Sequence, residues 1–371
     1  MAPSKCKIVK MNYAGRIRKL RRGLEKQEVE ALWITHLPDV RYLCGFSGSS
    51  AVLVVTRRKA ALFTDGRYTL QARQEVQGAA VHIAAKSTIQ EAAAWAAEEA
   101  ESAGFDPANT RVAELESYRE ALPRRRRAKF FRPLKEPLVM NLRLIKDEDE
   151  ILRMQQAALM GCKLFDLIVP HIRPGMTEIE VAAELEFFAR SLGAEGMAFD
   201  TIVASGVRSS MPHGRASLAK IPRKGFVTLD FGVILDGYLS DMTRTVHVGR
   251  ATKEEQHAYD AVLAAQEAAV AAVKPGATMA SVDEAARGVL REAGLAEYFT
   301  HGTGHGVGLE IHEQPRFAAG QEAKLKPGMV VTIEPGVYLP EKFGIRIEDM
   351  VVVTETGAAV LTPATKAWME L

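Results

Sequence analysis

Cysteine is scarce in this chain: Cys6, Cys44 and Cys162 are the three in 371 residues. An odd, scattered set makes neither a disulfide framework nor a thiolate metal motif, which fits a reducing cytoplasm. An excess of one charge is also missing. Lys and Arg number 48 against 46 Asp and Glu, a net charge of +2, too little to indicate a nucleic-acid or membrane-surface protein. The one dense run, Arg124-Arg-Arg-Arg127, sits among loop-like residues and reads as a solvated face. No apolar stretch approaches transmembrane length, and the first ten residues are basic without an apolar segment. Neither a membrane span nor a standard secretory signal is therefore expected, and Met11 is an alternative start.

What is present suffices for two globular domains: 371 residues, 47% of them apolar. Residues 11–137 alternate helical and strand signals, with an amphipathic Arg16–Lys26 stretch, apolar runs at Ala31–Thr35, Ala51–Val55 and Ala60–Phe63, and an Ala/Glu-rich helix near Thr88–Ala103. That pattern predicts a small α/β domain. Pro133 and Pro137 punctuate a linker, after which Asp147-Glu-Asp-Glu-Ile-Leu begins a helix. The expected domains are residues 1–137 and 138–371. Further on, Arg173-Pro-Gly-Met-Thr177-Glu-Ile-Glu180 opens a helix with a Thr-x-x-Glu capping box, and Lys274-Pro-Gly-Ala-Thr278-Met-Ala-Ser opens a similar one. Either the unit is duplicated, or Pro-Gly-x-Thr is simply a common way to start a helix.

Five residues that can ligate a metal lie in three short stretches of the second half: Asp230, Asp241, His305, Glu334 and Glu348. Residues 226–234 and 238–248 read as strands joined by an Asp236-Gly237 hairpin turn. In that register Asp230 faces Thr243 and Asp241 faces Gly232, so the two carboxylates share one face as diagonal neighbours. Gly232 is expected to leave a space there for an ion. The segment Gly344-Ile-Arg346-Ile-Glu348 alternates in the same way, and Glu334 ends the apolar run that starts at Met329. Buried carboxylates are costly unless paired or bound to metal. Four carboxylates and one imidazole form a hard, oxygen-rich set that suits manganese foremost, with cobalt or zinc as alternatives. Their charge balances two divalent ions, and such a pair, roughly 3.5–4 Å apart, activates water and polarises a carbonyl. Hydrolysis is the expected reaction.

These motifs resemble the metallopeptidases that include aminopeptidase P, prolidase and methionine aminopeptidase, with their pita-bread catalytic fold. The resemblance rests on the step from Asp230 to Asp241, the run His301-Gly-Thr-Gly-His305-Gly-Val-Gly-Leu-Glu-Ile-His312-Glu, and Glu334-Pro-Gly followed by Arg346-Ile-Glu348. Upstream, Tyr42-Leu-Cys-Gly-Phe-Ser-Gly-Ser and Leu62-Phe-Thr-Asp-Gly-Arg-Tyr look like the non-catalytic domain of the proline-specific branch. Together with Arg346 they favour that branch over methionine aminopeptidase. The resemblance implies an α/β two-domain chain: a small α/β N-terminal domain, then a pita-bread α+β catalytic domain with an internal pseudo-two-fold repeat.

By the same resemblance, Asp230 would chelate one metal, Asp241 and Glu348 would bridge two, and His305 with Glu334 would complete the second. Glu334 would be the general base. His213 and His312 would stabilise the tetrahedral intermediate, with His301 and Arg346 as pocket residues and Arg316 as a candidate anchor for a substrate carboxylate. The implied activity is hydrolysis of the bond between an N-terminal residue and a following proline, in peptides (aminopeptidase P type) or dipeptides (prolidase type). A cytoplasmic homodimer is implied as well. The alternatives are a catalytically silent binding protein of this fold, which usually has lost ligands, and a creatinase-like hydrolase. His36, His82, His171, His247 and His257 fall outside the motifs and read as surface or core residues.

Overall fold

The computed structural model describes residues 11–371. Cys6 and the expectations about the start of the chain lie outside the described residues. The chain divides into two compact units after Arg143. The division falls beyond Pro137 because the short helix Leu138–Arg143 carries Arg143, whose guanidinium pairs with buried Asp39 at 2.7 Å in the first unit.

In the first unit, the described residues form a mixed six-stranded sheet in the order Ala80–Ala84, Ala60–Asp65, Val52–Thr56, Ala31–Ile34, Ala103–Phe105 and Phe131–Pro133. The amphipathic stretch is the helix Tyr13–Lys26, and the three apolar runs are the central strands. Two expectations are corrected. The Ala/Glu-rich helix stops at Glu99, and residues 103–105 pair in parallel with Ala31–Ile34. Gly104 leaves room there for the Leu134 side chain, whose Cδ2 a Cβ would meet at 2.5 Å. Pro133 belongs to the last edge strand and not to a linker, an edge being where a missing N–H is tolerated. Within the arginine run, Arg126 and Arg127 donate to the Ala100, Leu122 and Glu120 carbonyls, so half of that face is structural. Cys44 and Cys162 are buried free thiols. No helix among the described residues is long and apolar enough to cross a membrane.

The second unit is built twice over. Its first half has the helices Glu148–Ile168 and Glu178–Ser191, packed in one hydrophobic cluster with the sheet of Ile202–Ser205, Gly225–Phe231 and Met242–Val248. Its second half has the helices Lys253–Ala272 and Met279–Glu292, packed in another with a sheet that includes Gly304–Gly306, Val330–Ile333 and Asp349–Val353. The long helices both start on capping boxes, Asp147 with Glu150 and Thr252 with Glu255. The shorter ones start at Thr177 and Thr278, and here the backbone repeats bond for bond. Thr177 bridges Lys220 as Thr278 bridges Lys324. Gly175 N–H donates to Ile221 as Gly276 N–H donates to Leu325, and Ile221 N–H returns to Met176 as Leu325 N–H returns to Ala277. A common helix start would not bring the same pair of downstream loops back to it. The internal repeat is real.

The hairpin carrying the first two carboxylates has the expected turn, with Asp236 and Gly237 both at positive φ (49° and 78°). Asp230 pairs with Thr243 as expected. The ladder breaks at Gly232, however, and the space expected there is filled: a Cβ on Gly232 would lie 1.8 Å from the Ser240 carbonyl oxygen. Glycine is needed because the opposing backbone crosses at that point, and the bend carries Asp241 out of the ladder.

Behind this hairpin, Arg244 and Asp349, both almost fully buried, pair at 2.7 Å. Asp349 also accepts from Thr362, Gln266 and Lys366, and Arg244 reaches the Thr362, Ala364 and Thr365 carbonyls, fastening the C-terminal segment to the core. Asp349→Ala leaves Arg244 buried and uncompensated, so it should destabilise the unit by about 3–5 kcal/mol. Chemical denaturation measures this, and a loss of about 1 kcal/mol or less, as for an exposed pair, would contradict the account.

Candidate active site

All ten residues singled out from the sequence line one cleft of about 750 Å³ in the second unit: Asp230, Asp241, His305, Glu334, Glu348, His213, His301, His312, Arg316 and Arg346. Each half supplies part of the set. Asp230 comes from the strand Gly225–Phe231 and Asp241 from the bend after Ser240. His305 is central in Gly304–Gly306, Glu334 follows Val330–Ile333, and Glu348 sits in the step between Phe343–Arg346 and Asp349–Val353. These strand ends converge because Val330–Ile333 pairs with both Gly304–Gly306 and Asp349–Val353. Glu348 N–H in turn donates to the Thr243 carbonyl of the first-half hairpin, at 3.1 Å.

The donor atoms are close enough to share a cation. One ligand atom from each of Asp241, His305 and Glu348 lies within 4.8 Å of the others. His305 Nε2 is 3.4 Å from Glu334 and 3.6 Å from Asp241. His305 Nδ1 lies 2.9 Å from the Gly306 carbonyl. That bond places the proton on Nδ1 and turns the Nε2 lone pair to the carboxylates. Burial lowers the pKa of His305, favouring this neutral form. Asp230 Oδ1 is buried and accepts nothing among the described residues.

Electrostatically the cleft is short of positive charge. Burial, with the mutual repulsion of Asp230, Asp241, Glu334 and Glu348, raises the Asp241 and Glu348 carboxyls well above the ordinary range, and burial foremost raises Glu334. Among the described residues, Arg346 is the buried cation that faces them. Its Nη2 meets Asp230 at 2.5 Å, Nη1 donates to Tyr338 Oη at 2.7 Å and to the Pro212 carbonyl at 3.0 Å, and Nε donates to Thr243. The orphaned Asp230 oxygen, the unprotonated imidazole nitrogen and the raised carboxyls form a donor set that fits hard divalent cations.

Sequence reasoning missed the residues that hold these groups. Tyr338 Oη bridges Arg346 to His301 Nε2, at 3.0 Å, and burial pushes its pKa up to about 12. Thr243 Oγ1 donates to Glu348 at 2.7 Å, and Thr332 Oγ1 links His305 N–H to Glu334. For Thr332 the available signal was a hydroxyl on an otherwise apolar strand, two residues before Glu334, and for Thr243 it was the place opposite Asp230. His301 and His312 have lowered pKa values, from burial first, and the His312 ring stands edge-on to His305 at 4.6 Å. His213, His312 and Arg316 are exposed, towards the open side, and His301 lies deeper.

The fold and the cleft together define a metal-dependent peptidase. The model of metallopeptidase family M24 matches residues 152–355, and that of the creatinase/prolidase N-terminal domain matches residues 16–145. The chain belongs to metallopeptidase family M24. It is 41% identical over 356 residues to an uncharacterized peptidase of Bacillus subtilis, with 95% of this chain and 98% of the relative covered. Among solved structures it is similar to an Xaa-Pro dipeptidase from Bacillus anthracis, at 39% identity and a TM-score of 0.93 over 97% of this chain and all of that one. It is similar also to an X-Pro aminopeptidase from Thermotoga maritima, at 35% identity and a TM-score of 0.88 over 94% of this chain and 100% of that one.

The raised carboxyls give a test of the donor set. Carboxyls held above their ordinary range by burial and mutual repulsion keep protons in the metal-free chain to higher pH than free ones do, and an entering cation must displace them. Manganese added to chelator-stripped protein at mildly acidic pH should therefore release protons, read by pH-stat titration. Saturable binding without proton release would contradict this electrostatic picture.

Proposed function

We propose that the protein is a dinuclear Xaa-Pro peptidase that cleaves between an N-terminal residue and a following proline, with Xaa-Pro dipeptides preferred. The observation that carries this reading is the convergence of Asp230, Asp241, His305, Glu334 and Glu348 in one cleft rimmed by His213, His301 and His312. Two divalent ions, manganese foremost and cobalt or zinc as alternatives, fit the four carboxylates and single imidazole. Asp230 would hold one ion, Asp241 and Glu348 would bridge both, and His305 and Glu334 would complete the second. Bound there, the pair supplies an acidified water and a polarised scissile carbonyl.

This chain's residues do the rest. Glu334, with its carboxyl raised by burial, takes the proton of the attacking water and passes it to the leaving prolyl nitrogen. His213 and His312 donate to the oxygen that gains charge as the carbonyl becomes tetrahedral. His301, held by Tyr338, shapes the pocket beside them. Arg346, expected from the sequence as a pocket residue, acts here through Asp230, because each of its nitrogens already has a protein acceptor.

Arg316 supports the dipeptide preference. It lines the cleft, and its side chain makes no hydrogen bond or ion pair among the described residues, which leaves a guanidinium for the free carboxylate of a C-terminal proline. The similarity to an X-Pro aminopeptidase supports the second reading, cleavage of longer peptides. A cytoplasmic setting is supported by the buried thiols of Cys44 and Cys162, and a homodimer rests on family resemblance.

Hydrolysis of Ala-Pro and Ala-Pro-Pro by manganese-loaded protein tests the proposal. Ala-Pro should be cleaved faster, and a chelator should abolish both activities. Full activity after chelation would remove the metal mechanism, and faster cleavage of Ala-Pro-Pro would make the protein an aminopeptidase. The donor roles have their own check. His312→Ala and His213→Ala should each lower kcat by about 10²–10³ with metal content near that of the unaltered protein. Metal loss in proportion to activity would make the affected histidine a ligand or a structural support.

A further inference from the structure

The rings of His213 and His312 form no hydrogen bond among the described residues, so their positions are set by the loops that carry them. Behind each histidine loop stands a buried carboxylate paired with a cation. Glu178 is fully buried and gathers both ends of residues 205–217. It accepts from Ser205 N–H at 2.8 Å and Ser217 N–H at 3.2 Å, from both serine hydroxyls, and from Arg208 Nε at 3.0 Å. Arg208 goes on to the Arg215 carbonyl, closing the loop around His213.

The same arrangement recurs twice. Asp283 accepts from Thr303 N–H and Oγ1 and pairs with Arg287, which donates to the Phe299 and His301 carbonyls. Glu313 accepts from Leu309 N–H and Glu310 N–H and pairs with Lys146 at 3.0 Å, gathering the turn that ends in His312. A surface loop can satisfy its amides with water, so the cost of burying a charge needs a compensating role. Charge-assisted bonds to several amides at once make a loop far less deformable than single neutral ones.

We propose that Glu178, Asp283 and Glu313 are positioning residues, each fixing through its own loop one histidine of the cleft: His213, His301 and His312 respectively. None of the three touches substrate. Their effect on catalysis rests on the peptidase reading above, whereas their effect on the histidines does not.

The test uses the near-isosteric variants Glu178→Gln, Asp283→Asn and Glu313→Gln in the full chain loaded with diamagnetic zinc. Imidazole NMR signals, assigned by deleting one histidine at a time, and amide hydrogen exchange are the readouts. Each variant should shift or broaden the signal of its own histidine and speed exchange in its own loop, leaving the other two unchanged. Ser217→Ala, which removes one hydroxyl donor, should do the same to His213 more mildly and serves if Glu178→Gln misfolds. An unmoved His213 signal, or equal movement of all three rings, overturns the proposal.

In catalysis, Glu178→Gln should lower kcat about 10- to 100-fold with metal content retained, the scale of a misplaced group. In a His213→Ala background the same change should cost less than about twofold. Equal cost in both backgrounds also overturns it. A protein that cleaves no proline peptide would defeat the functional reading alone, since the NMR and exchange results stand without substrate.

Discussion

Four carboxylates brought out of water into one cleft repel one another, and the second unit is organised around that repulsion. Arg346 offsets part of it, and burial together with the remaining repulsion holds the Asp241, Glu334 and Glu348 carboxyls above their ordinary range. A chain that only had to be stable would not assemble such a cluster, because unpaired buried charge costs several kcal/mol per group. The arrangement persists because the scaffold around it is over-determined. Thr243, Thr332 and Tyr338 each bond to a site residue, and Arg244 with Asp349 ties the hairpin behind the cleft to the C-terminal segment.

Duplication explains how a single chain presents carboxylates from so many directions. Each half folds two helices over its own sheet and sends a loop back to the start of the shorter helix. The backbone is shared, but the side chains at the seam are not. Asp230 and Asp241 come from one half, and His305, Glu334 and Glu348 from the other. A centre bound on two sides by separately folded halves is held more firmly than one displayed on a single loop.

Much of this was legible in the sequence, for identifiable reasons. Asp230, Asp241, Glu334 and Glu348 interrupt apolar, strand-like runs, and a carboxylate in such a run announces a compensating partner. The turn at Asp236-Gly237 fixed the pairing of Asp230 with Thr243, since both turn residues need positive φ. The bend at Gly232 was not legible, because a close backbone crossing leaves only a glycine as its trace. Pro133 and Ala103 were misread for a related reason: three-residue strands have too few residues for a period to show, and their partners are distant in sequence. The second layer of the site was hidden for longer-range reasons still. Glu178 lies 27 residues from Ser205 and 39 from Ser217, and nothing local marks it apart from its neighbour Glu180, which merely caps the helix.

Arg346 has one more consequence, for motion. From the second half it bonds to Asp230 and to the Pro212 carbonyl in the first, while Tyr338, which it also holds, reaches His301. A slide of one half past the other by even the length of a hydrogen bond would disturb a ligand strand and two histidine loops together. The seam between the repeats is thus cross-bonded at the site and a poor place for a hinge. Access to the cleft is then expected from its outer rim, where His213, His312 and Arg316 are exposed.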